Sequence, residues 1–131
     1  MHPMELNAGR FHLRPLRHDG RVSDLPALAA VHGADVGEAY IADAADAWET
    51  DRAYHWAIAE QTCIDLVAEI VVTPHGEDEA SVEVRPAGPA DTLIEVQDET
   101  LVPVTIGDAC VSAEGVVKRW TEGALRRTVR V

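Results

Sequence analysis

The chain has 131 residues, 47% of them hydrophobic and 26% charged, with 23 acids against 11 bases and a formal charge of −12. That length and composition fit one globular domain with a core of its own and exclude wholesale disorder. The charge excludes DNA or RNA as partner, whose phosphates need a basic surface, and no apolar run nears the roughly 18 residues of a membrane span.

Residues 1–9 read as a loose start, without the basic-then-apolar leader of a secreted chain, so a cytoplasmic location is expected. The segment 10–16 alternates, with Phe11 and Leu13 on one face, and predicts a first strand, for which Pro15 marks either an edge position or the end. Ser23 or Asp24 can cap a helix with Pro26 in its first turn, in which Leu25, Leu28, Ala29 and His32 share a stripe and Gly33 is the stop. A second helix is expected at about 42–53, alanine-rich around Trp48.

The period then changes to two. Residues 54–60 and 66–72 predict strands paired as an antiparallel hairpin, and a turn at 73–78 leads to a strand over 81–85. Pro86-Ala87-Gly88-Pro89 breaks it, and 92–96 and 101–104 predict two further strands. An amphipathic helix follows, with Ala113, Val116, Val117, Trp120 and Ala124 on one stripe, and 128–131 reads as a last short strand. The order is α+β in a single domain, 1–131.

Cys63 and Cys110 are too few for a disulfide framework and lack metal-ligand spacing, and the six histidines form no HxH or HxxxH pair, so no metal is expected. Nine of the eleven basic residues lie in 1–21 and 118–131, whereas 22–117 carries 20 acids against Arg52 and Arg85. Such asymmetry suits a cationic partner at the middle, two subunits pairing opposite patches, or merely a solvated acidic surface.

Residues 10–72 resemble the first half of a GNAT-superfamily N-acetyltransferase, most closely the branch that acetylates ribosomal-protein N-termini. The resemblance rests on Leu13-Arg14-Pro15-Leu16-Arg17, Asp24-Leu25-Pro26-Ala27-Leu28, Trp56-Ala57-Ile58-Ala59 and Leu66-Val67-Ala68-Glu69-Ile70-Val71-Val72, in that family's order and spacing. It implies a bent, mostly antiparallel sheet flanked by helices, acetyl-CoA or another acyl-CoA as cosubstrate, and an amine or protein N-terminus as acceptor. Two segments compete for the family's fourth strand, 79–86 with Val84-Arg85-Pro86, and the one ending at Val102-Pro103. The second places Val104, Gly107, Asp108 and Ala109 where the family cradles pyrophosphate on a helix start, with Val104 in place of Gln or Arg and Asp108 adding an anion. The family's last helix and strand have no counterpart before Val131.

Within that resemblance Glu79, just before the fourth strand, is the first candidate base, or else a solvated turn residue. Glu69, alone among apolar neighbours, is the second, with a proton affinity expected to rise if it is buried, or else an outward-facing strand residue. Amides near Val82 to Val84 are candidate donors from a splayed strand, and His55 beside Trp56 is a candidate lining of the acceptor pocket, although all three tryptophans also suit the core. The resulting expectation is an acyltransferase working on an amine, with a catalytically inactive binding or dimerisation module as the alternative. A homodimer is expected through the residues from about Trp120 onward, because an incomplete sheet leaves an edge to cover.

Overall fold

The computed structural model of the chain describes residues 1–130. Their strands form one sheet whose spatial order follows the chain: β1 (Leu6–Ala8), β2 (Phe11–Arg14), β3 (Tyr54–Glu60), β4 (Ala68–His75), β5 (Glu79–Pro86) and β6 (Thr128–Val129). Helices α1 (Leu25–His32) and α2 (Glu38–Glu49) connect β2 to β3, and α3 (Ile106–Gly123) connects β5 to β6. The first four pairings are antiparallel, and β6 joins β5 parallel because a whole helix intervenes.

Strand alternation divides the core in two. Tyr54, Trp56 and Ile58 on β3, with Ala68, Ile70 and Val72 on β4, face α3, which presents Ala109, Ala113, Val117 and Trp120 at helical spacing. Trp48, Tyr54, Trp56 and Trp120 meet edge to face there, with ring centroids 4.9 to 6.0 Å apart. The opposite face packs Ala57 and Leu66 against Leu16, Leu28 and Ala44 under α1 and α2. Beyond Val71 that second face becomes polar, and the far ends of β4 and β5 carry Thr73, His75, Ser81 and Glu83 on it.

The antiparallel hairpin expected over 54–72 forms, but its second strand runs from Ala68 to His75 and the next from Glu79 to Pro86. The turn expected at 73–78 shrinks to 76–78, because Thr73 to His75 pair with Glu79 to Ser81. Four further expectations are corrected. The start is not loose: Leu6–Ala8 pairs with β2 through a turn at Gly9 (φ 61°), and the Met1 ammonium is held by the Trp48 carbonyl and Asp51. Helix α2 begins earlier and cannot reach residue 53, because Asp51 takes a left-handed conformation (φ 55°) that turns the chain out of the helix. Residues 92–96 and 101–104 are not strands; the two stretches meet at a single bridge, Leu93 to Thr105, flanked by the Ile94 amide on the Val104 carbonyl and the Ile106 amide on the Thr92 carbonyl. Pro103 has no N–H to donate, and Asp98 turns the chain by accepting from the Thr100 amide and hydroxyl. Of the last strand only Thr128–Val129 forms, while Val131 lies outside the described residues.

Candidate functional site

Glu69 is the second residue of β4, with its side chain fully buried on the α1/α2 face. Four donors converge on it from four elements. His32 Nε2, at the end of α1, is 2.8 Å from Oε1; the Tyr40 hydroxyl, from α2, donates to Oε2 at 2.6 Å; His55 Nδ1, on β3, is 3.1 Å from Oε2. Arg85, directly across the ladder on β5, brings a guanidinium N–H to 3.5 Å of Oε1 and another to Glu83 at 2.7 Å. Burial alone would push this carboxyl upward, but the hydrogen bonds from His55, Tyr40 and His32 and the nearby His55 charge outweigh it and hold it at about 2. The expectation of a raised proton affinity is therefore reversed by the donors around it. Held as an anion, Glu69 orients the four groups around it.

An ionised carboxylate only accepts, so the ring nitrogens facing it carry their protons: Nε2 in His32 and Nδ1 in His55. In the neutral rings the lone pairs are then on His32 Nδ1 and His55 Nε2, two proton acceptors backed by one carboxylate. Burial first, then the bond and charge of Glu69, push the Tyr40 phenol above its usual range, so it remains a donor. The His32 and Tyr40 rings are also stacked at a tilt, with centroids 4.6 Å apart.

The start of α3 is built differently from an anion cradle. The Ile106 amide donates to the Thr92 carbonyl, Gly107 to Ala90, Asp108 to the Thr105 hydroxyl and Ala109 to the Thr105 carbonyl. Thr105 and Asp108 close a capping box, since the Asp108 carboxylate accepts from the Thr105 amide. Gly107 is small because the chain itself needs the room: a Cβ there would come within 2.9 Å of the Ala90 carbonyl oxygen. Val104 is half-buried, and its carbonyl accepts from Ile94. All four residues named for pyrophosphate are thus engaged with the loop 87–105, and the residues present do not fit coenzyme A at this helix start.

The remaining candidates separate. Glu79 is exposed at the start of β5, far along the strand from Glu69, and pairs with Arg130 at 3.1 Å. His55 joins the Glu69 cluster, whereas Trp56 points to the other face of the sheet, fully buried, with its indole N–H on the Met4 carbonyl. Along β5, Ala80 and Asp78 turn their carbonyls outward to Arg130 and Thr128; by the same alternation the backbone groups of Val82 and Val84 lie on the outer edge, with no backbone partner among the described residues. Sequence reasoning missed His32, Tyr40 and Arg85. For Arg85 a signal existed, because the hairpin turn at 76–78 sets it opposite Glu69; for His32 and Tyr40 none did, since their place depends on how the helices dock.

Among the described residues no group of His, Cys, Asp or Glu is arranged to hold a metal ion, and no helix is long and apolar enough to cross a membrane. No family model matches the chain, and no curated protein matches it significantly. A solved structure does, that of a "putative ribosomal-protein-serine acetyltransferase" from Vibrio cholerae, at 19% identity and a TM-score of 0.51, over 64% of this chain and 55% of that one. The present chain thus spans about half the length of the protein it resembles. With its curled, mostly antiparallel six-stranded sheet and three helices, the chain has a GNAT-like fold.

Proposed function

We propose that the chain is a GNAT-fold binding module that does not hold coenzyme A at the start of α3. The observation that supports this reading is that every amide from residue 106 to 109 already donates within the chain, with Ala90 seated against Gly107. Asp108 adds negative charge where a pyrophosphate would sit. Titration calorimetry with acetyl-CoA is the direct test. The expected trace shows heats of dilution only, up to millimolar ligand; saturable binding at micromolar concentration would overturn the module reading.

That outcome would favour a second reading, acyl transfer from an acyl-CoA to an amine. One observation speaks for it: Glu69 fixes His55 as the Nδ1–H tautomer, leaving Nε2 to take a proton from an amine, the arrangement of a carboxylate-backed general base. The acceptor would be a small cationic amine or a protein N-terminus, in keeping with the acidic middle of the chain.

The module reading includes self-association. The unpartnered edge at Val82 and Val84, beside the short strand Thr128–Val129, is a template for another strand, and a twofold pairing with a second copy covers it. Light scattering at micromolar concentration is expected to give twice the 14.2 kDa of one chain. A strict monomer would refute the dimer and leave the acetyl-CoA result untouched.

A further inference from the structure

The loop joining β3 to β4 and residues 95–97 of the loop before α3 form the two walls of a cleft of about 550 Å³. It adjoins a smaller hollow of about 190 Å³ that runs inward to Ile106, and Cys63, Asp65 and Glu95 border both. The walls are tied together by the Cys63 thiol, which donates to the Glu95 carbonyl at 3.3 Å. Two features of this surface bear on what it could take up. Ile64, on the cleft, and Leu93, on the hollow, stand 59% and 63% exposed. Asp65 and Glu95 are exposed beside them, and neither has an ion-pair partner among the described residues.

Apolar side chains interleaved with uncompensated carboxylates ask for a partner of matching pattern. We propose that this cleft docks an extended peptide segment of a partner protein in which arginine or lysine alternates with leucine or valine. The inference rests on the module reading and names its partner. The chain's own basic end is the poorer occupant. Its Arg127 and Arg130 lie at the opposite end of the sheet, bonded to the Gly76 carbonyl and to Glu79, and the acids Glu77 and Asp78 adjoin them. A nucleic acid or another anion is disfavoured by the same carboxylates. An extended peptide also suits the walls, which are irregular backbone instead of a helix groove.

The probe is a fluorescein-labelled, capped hexapeptide alternating leucine with arginine, followed by anisotropy at low salt. Saturable binding is expected, with none for the same peptide carrying glutamate for arginine. The double variant Asp65→Asn/Glu95→Gln should weaken it about five- to tenfold, the scale of two exposed ion pairs. Ile64→Ser/Leu93→Ser should weaken it at least as much, and all four side chains are exposed, so the fold is expected to survive and circular dichroism checks it. In the unaltered protein, bound peptide should slow alkylation of Cys63 by iodoacetamide and leave Cys110, on α3, unaffected. No binding, equal binding of the acidic peptide, or binding indifferent to Ile64 and Leu93 would each overturn the proposal. Calorimetric binding of acetyl-CoA would overturn the module reading instead, so the two failures are distinguishable.

Discussion

Replacing Glu69 with alanine should destabilise the protein by about 3–5 kcal/mol at neutral pH, the scale for removing one partner from a buried charge network. The side chain is fully buried, and its loss leaves His32, Tyr40, His55 and Arg85 facing a void without their acceptor. Glu69→Gln keeps the shape but not the charge, and gives a cleaner reading against pH. The folded carboxyl, at about 2, lies below its ordinary value of 4.5. A depressed folded pKa adds stability that is complete above the unfolded pKa and fades as pH falls toward the folded one. The contribution, on the order of 3 kcal/mol, should thus be present above about pH 5 and disappear toward pH 2. Urea denaturation of both proteins from pH 7 to pH 2.5 (the range set by those two values) should show the gap between them closing. A gap that stays constant would mean that the network does not hold the charge on Glu69.

Asp24→Ala is expected to cost a similar amount, about 3–5 kcal/mol, for a different reason. Asp24 stands at the start of α1 but makes no capping bond with its side chain. Its carboxylate instead accepts two guanidinium N–H groups of Arg14, at 2.8 and 2.9 Å, and the Arg17 amide at 2.6 Å. Arg14 also donates to the carbonyls of Pro15 and Ile64, so one buried fork ties β2, the α1 start and the β3–β4 loop together. Thermal unfolding of Asp24→Ala, Arg14→Met and the double variant would separate the pair from the rest. The double variant should recover much of the single loss, because no unpaired charge is then buried. A single Asp24→Ala within about 1 kcal/mol of the parent would show the fork to be ornamental.

These two acids show what the sequence could and could not disclose. The spacing from Leu13-Arg14-Pro15 to Asp24-Leu25-Pro26 marked the GNAT-like architecture. Strands expected at 54–60 and 66–72 form at 54–60 and, shifted along the chain, at 68–75, because hydrophobic period is a local property whereas strand ends are set by pairing. That Asp24 would serve an arginine instead of a helix cap is a tertiary fact, and so is the gathering of His32, Tyr40 and His55 around Glu69. The apolar stretches at 92–96 and 101–104 misled for a related reason: alternation signals a strand only where a neighbouring strand accepts it, and these have little beyond each other. Gly107 misled through a coincidence of size, since a glycine that admits a phosphate and one that admits Ala90 are indistinguishable until the loop is seen.

The sheet whose spatial order follows its sequence also bears on how the chain acquires its shape. Each pairing from β1 to β5, apart from the α1–α2 excursion before β3, joins segments close in sequence. Residues up to 87 therefore contain the whole cluster under α1 and α2, with Glu69 and its donors. The other face has no such autonomy. Trp56 has Trp48 beside it, but the rest of this face, with Ile58, Ile70 and Val72, lacks α3 until that helix arrives from beyond a long loop. A chain emerging from the ribosome would thus pass through an intermediate finished on its charged side and adhesive on its greasy one. Helix α3 is then the element whose docking separates folding from aggregation.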